Sequence, residues 1–181
     1  MNLFNTLAAV IERPETLLRQ EAPAELWRAG LLGYLLGTLG IFTFFRLFAV
    51  IPPGVLSFSL VLFFVLSANL LFAAITHLFM DLTGAGGRAA RLFLAFGYAD
   101  FFLTLLVPLG FLAKLNYINE IVCFWLCFGI VVYARAMLVQ KLYPVSANKA
   151  ALSVWLPYFG FITLFVLAFS YSVAWLVWLL V

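Results

Sequence analysis

Charge is what this chain has least of: of its 181 residues only 9% are Asp, Glu, Lys or Arg, while 67% are hydrophobic. A soluble domain of this size cannot cover so much apolar side chain with so few polar groups. Histidine occurs once, as His77, and cysteine twice, as Cys123 and Cys127. A single imidazole leaves no set of ligands for a structural zinc site, because two thiols one helical turn apart do not complete one. The same two thiols sit on one helix, where they are poorly placed to bridge each other. Scattered serines without an elbow motif, and one histidine to serve them all, supply no nucleophile–base pair. The expectation is a protein that is not an enzyme and carries no cofactor. A net charge of +3, spread along the chain, is too small for a nucleic-acid footprint.

What fills the sequence instead is five long apolar stretches, near 28–50, 55–80, 91–113, 119–140 and 152–181. Each reaches the roughly 20 residues that a helix needs to cross the hydrocarbon core. The predicted fold is an all-α integral membrane protein in two parts, residues 1–26 as an interfacial segment and 27–181 as a five-helix transmembrane domain. In the first part Leu3, Phe4, Leu7, Val10 and Ile11 recur at helical spacing on one side. Such a helix lies in the membrane interface or packs on its own bundle.

Basic residues give the orientation. Arg13, Arg19, Arg28, Arg88, Arg91, Arg135, Lys141 and Lys149 share one side if every stretch crosses, against Arg46 and Lys114 on the other. By the positive-inside rule the N-terminus is cytoplasmic and the C-terminus outside. Trp27, Tyr143 and Trp155 fall at the first boundary and Tyr117, Trp175 and Trp178 toward the second, as interfacial aromatic anchors do.

Within the spans a few residues stand out. Gly30, Gly33, Gly37 and Gly40 form one stripe of the first helix and predict close approach of another backbone, in this chain or in another copy. Asp100 lies about 16 Å into the third span at the helical rise, near the bilayer midplane. A charge there costs on the order of 3 kcal/mol. Asn69 falls at similar depth, and Arg135 is within reach from the fourth span. Asp100 is therefore either a neutral acid bonded to Asn69 or a carboxylate paired with Arg135. The cluster is a clamp between helices or, with Tyr98 and Thr104, the path of a small ion- or proton-coupled transporter or channel component. His77 and Asp81, one turn apart, are weak candidate metal ligands. The loop Gly84-Ala85-Gly86-Gly87-Arg88-Ala89 superficially resembles a dinucleotide fingerprint, but a membrane span precedes it where that motif requires a strand. Arg88 and Arg91 beside it are candidate contacts for lipid headgroups.

Two short motifs carry a family resemblance: Glu12-Arg13-Pro14-Glu15-Thr16 before the first span, and Gly86-Gly87-Arg88-Ala89-Ala90-Arg91 followed by Phe96-Gly97-Tyr98. Together with the five-span plan they resemble bacterial members of the Yip family, relatives of the Ypt/Rab-GTPase-interacting membrane proteins. The resemblance implies a non-enzymatic, multi-pass protein of the bacterial inner (plasma) membrane. Its partners would be membrane lipids, other membrane proteins or further copies of itself. Pro108 stands further from the Gly-Tyr pair than the family's proline, and the acidic patch of eukaryotic members before the first span is absent, so GTPase binding does not carry over.

Overall fold

A computed structural model describes residues 23–180, with side chains from 26 to 179. The expected amphipathic segment at residues 1–26 lies almost wholly outside the described residues. The described chain contains helices and no strand: α1 (Pro23–Leu47), α2 (Val55–Leu82), α3 (Ala89–Asp100), a 3-10 segment (Phe101–Leu105), α4 (Leu106–Lys114), α5 (Glu120–Leu142) and α6 (Ala147–Leu180). Five helical spans are long and apolar enough to cross a membrane, with Ala89–Lys114 counting as one. Their bounds differ from the sequence reading by a few residues. The first span stops at Leu47 rather than 50, where Ala49 takes a left-handed φ of 56° and the Arg46 guanidinium donates to the Ile51 carbonyl at 2.8 Å. The fifth begins at Ala147 rather than 152.

The third span is the hub. Its first half, α3, buries Leu92, Leu94, Ala95, Phe96, Gly97, Ala99 and Asp100, and it packs against α1, α2 and α5. The last helix packs against α2 and α5. Small residues explain why α1 comes so close. A Cβ built at Gly30 would lie 2.7 Å from the Leu94 carbonyl oxygen, and those at Gly33, Gly37 and Gly40 would press still harder on the carbonyls of Gly97, Asp100 and Leu103. The pairing advances in the same direction on both helices, so α1 and α3 run parallel. The partner of the glycine stripe is thus a backbone of the same chain.

The third span is not a uniform helix. Pro108 has no N–H for the Thr104 carbonyl, and its ring would crowd that carbonyl in ideal α geometry. The turn just before it, Phe101–Leu105, is tightened to 3-10 form. Pro157 in α6 has the same effect on Ser153, and here a neighbouring helix supplies the missing donor: Thr76 Oγ1 donates to the Ser153 carbonyl at 3.1 Å. Within lipid no water can satisfy such a group, so the side chain does.

One interfacial anchor is corrected. Tyr143 is 1% exposed, packed in the core with Met80, Leu92, Phe96 and Val139. It serves as a core residue, whereas Trp27, Tyr117, Trp175 and Trp178 remain exposed.

Gly33→Ile and Gly37→Ile place branched side chains against backbone rather than flexible side chains. Each should destabilise by about 3 kcal/mol, the upper end of overpacking costs, read as a lowered thermal unfolding midpoint in detergent. Gly160→Ile, in open space, should leave that midpoint near wild type. Equal midpoints for all three would contradict the packing.

Candidate functional site: the buried charge cluster

Asp100 ends α3 at the level where all five spans meet. It is 1% exposed, Asn69 and Arg135 are 5% exposed, and all three touch. One carboxylate oxygen, Oδ2, accepts from Asn69 Nδ2 at 2.8 Å, and the other, Oδ1, accepts from Arg135 Nη2. Arg135 Nη2 also donates to Asn69 Oδ1, closing a ring of three side chains from α2, α3 and α5. Asn69 Nδ2 reaches back to the Val65 carbonyl at 3.0 Å, which fixes its rotamer. Arg135 Nη1 donates to Tyr158 Oη of α6 at 2.8 Å, and the guanidinium carbon stands 4.8 Å from the centre of the Phe96 ring. The two pairings that the sequence leaves as alternatives coexist.

The chemistry follows from charge. Guanidinium stays protonated in proteins, so a carboxylate at Asp100 makes the cluster neutral as a whole. Both carboxylate oxygens, both amide atoms of Asn69 and both terminal nitrogens of Arg135 are engaged. Arg135 Nε and Thr38 Oγ1 are the buried side-chain atoms left without a partner among the described residues. Breaking such a pair by removing one member is far more costly than replacing both, because the survivor is a bare charge in low dielectric.

The other predicted residues fall elsewhere. Thr104 Oγ1 bonds the Phe101 carbonyl of its own turn at 2.8 Å, and Tyr98 packs its ring in the apolar cluster around Phe44 and Leu106. Neither joins the charged ring. Cys123 and Cys127 are buried free thiols. His77 Nδ1 lies 2.7 Å from Tyr143 Oη, and among the described residues no three His, Cys, Asp or Glu side chains are grouped to hold a metal ion. Burial, and then the negative charge of Asp81, push the Tyr143 hydroxyl above its ordinary pKa, so it stays a protonated phenol beside His77. The Tyr143 ring also lies under Gly87, where any Cβ would collide with it, and Lys149 Nζ donates to the Thr83 carbonyl at 3.0 Å. The 83–88 loop is thereby tied down on α5 and α6, with Arg88 and Arg91 exposed at its edge.

Sequence reasoning missed Tyr158 and Tyr34. Tyr34 donates to the Phe93 carbonyl at 2.6 Å from the face of α1 nearest Gly97. The available signal was general: a phenol inside an apolar span needs a partner for its hydroxyl. The chain matches no family model, no curated protein and no solved structure.

Asp100→Leu strips Arg135 of its counter-charge and Asn69 of its acceptor, so it should destabilise by about 3–5 kcal/mol, as Arg135→Met should. The double variant Asp100→Leu with Arg135→Met removes both charges and should cost clearly less than the sum. Detergent unfolding of the four proteins checks this, and simple additivity would refute the pairing.

Proposed function

We propose that this chain is a non-enzymatic multi-pass membrane protein of Yip type that acts through contacts with lipid or with other membrane proteins. Its N-terminus would face the cytoplasm and its C-terminus the far side of a bacterial inner membrane. The coarse part of this reading, five apolar helices arranged as membrane spans, is a property of the structure. Orientation is supported by the Lys and Arg outside the buried ring, seven on one side against Arg46 and Lys114 on the other. The family assignment rests on the resemblance of two short motifs and of the span plan.

The observation that carries the functional reading is that the intramembrane charges are spent on one another. A carboxylate that hands on a proton or a cation must alternate between a bound and a free form, and it needs a polar route on both sides. Asp100 has its two oxygens occupied by Asn69 and Arg135, and it is flanked by Phe96, Phe101, Phe102 and Leu103. Such a group holds helices in register. What remains for function is the surface: the exposed apolar helices, and the basic end with Arg88, Arg91 and Lys149.

Two measurements test this. Single cysteines at Ser146 and Pro53 should be labelled from opposite sides of intact cells by an impermeant reagent, Pro53 from outside. Outside labelling at both positions would overturn the topology. Wild-type proteoliposomes should show no proton or cation flux above protein-free vesicles, and reproducible wild-type flux would overturn this reading in favour of a transporter.

A further inference from the structure

The last helix divides at Pro157 into a half that the bundle holds and a half that it does not. On the held side Ser153, Val154 and Pro157 are buried, Thr76 bonds the Ser153 carbonyl, and the Tyr158 hydroxyl accepts from Arg135. The Tyr158 ring packs edge-on against Phe72 and Phe128, and Phe161 makes the last ring contact, with Phe72. From Phe159 to Leu179 every residue is exposed. Gly160 has open space around it, three positions after the proline.

The free half is also too long for its place. Tyr158 shares the level of the charged ring, and from there to Leu180 the helix rises about 33 Å. From the same level α2 reaches its end at Val55, and the third span its end at Lys114, within about 21 Å. A straight α6 would therefore carry its last 12 Å or so beyond both neighbours. That section is Val173-Ala174-Trp175-Leu176-Val177-Trp178-Leu179-Leu180, and the last charged residue before it is Lys149. Nothing in it suits water.

We propose that residues 159–180 form an arm that pivots at Pro157 and Gly160 and lies obliquely in the leaflet on the Lys114 side. Its partner is the acyl chains of that leaflet, and Trp175 and Trp178 mark the headgroup boundary. This deepens the contact reading above and rests on it. Tilt is how a hydrophobic helix longer than the local hydrocarbon thickness stays within it. Lipid is the occupant because the arm carries no charged residue and every residue from Phe159 to Leu179 is exposed. Phe161, Ile162, Leu164, Val166 and Leu167 project around its whole circumference at about 100° per residue. Of its hydroxyls, Ser172 Oγ is taken up within the arm, donating to the Ala168 carbonyl of its own helix at 2.8 Å.

The test is tryptophan quenching in full-length protein whose other tryptophans are Phe, leaving Trp175 or Trp178 alone. The protein is placed as one or two copies in phosphatidylcholine nanodiscs with bromine near the headgroup or deep in the acyl chain. Lipid bromine should remove most of the emission at both positions, acrylamide in the water little, equally in one-copy and two-copy discs. Pro157→Ala, which restores the helix hydrogen bond, should straighten the arm and move Trp178 toward acrylamide. Dominant acrylamide quenching in the unaltered arm would overturn the proposal, because the arm would project from the membrane. Lipid quenching present with one copy and lost with two would also overturn it, because another α6 would be the occupant. If the tryptophan replacements prevent folding, nitroxide labels at Val173 and Leu179 give the same comparison through oxygen and aqueous nickel accessibility. The opposite-side labelling of Ser146 and Pro53 stands or falls independently of these results.

Discussion

A carboxylate near the midplane of a membrane cannot be left alone, and the fold is arranged around that constraint. Asp100 draws Asn69 from α2 and Arg135 from α5, and Arg135 in turn reaches Tyr158 on α6. The fifth span is reached through backbone, since Gly37 of α1 lies so close to the Asp100 carbonyl that a Cβ there would collide with it. One level of the molecule thus touches every span. A one-turn slip of any helix would shift a donor by about 5.4 Å and strand a charge. Apolar replacements of the same volume could match the pair in stability. What they could not do is penalise a wrong register, so specificity is the gain from keeping the charges.

Two prolines meet the same rule by different means. In the third span the released Thr104 carbonyl goes with a tightened 3-10 turn directly below Asp100. In α6 the released Ser153 carbonyl is taken by Thr76, so the break in one helix becomes a bond between two. Both adjustments sit within a few residues of the charged ring. The molecule therefore concentrates its irregular backbone where it is best covered by protein, as a lipid environment demands. Away from this level the helices are regular.

Much of this could be read from the sequence because depth along a helix is simple arithmetic. A fixed rise put Asp100 and Asn69 at one level, and a period of 3.6 put four glycines on one stripe. Rotation about the helix axis and reach across a gap are not given that way. Arg135 stands seven residues before the end of α5, and its long side chain brings the guanidinium to Asp100. The two pairings looked exclusive because one was tied to a neutral acid and the other to an ionised one. Tyr143 failed for the same reason: its position beside a span end fits an interfacial anchor, but its ring is turned inward under Gly87 to meet His77. Tyr158 had no signal beyond its type. The first 22 residues fall outside the described structure, and the motif at Glu12 to Thr16 with them.

Rigid and unrestrained parts are sharply separated. The parallel α1–α3 pair, the charged ring and the tied-down 83–88 loop leave the middle and the basic end with little room to move. Past Phe161 the last helix has no such restraint. Neutralised interior charges and core helices that lock at one level support the proposed contact reading over passage of a substrate through the bundle. Such a bundle is well suited to hold a shape against which lipids adjust. The proposed oblique arm would take up area in one leaflet and none in the other, so its effect on the surrounding bilayer would be asymmetric. Such an asymmetry would need no binding pocket to act.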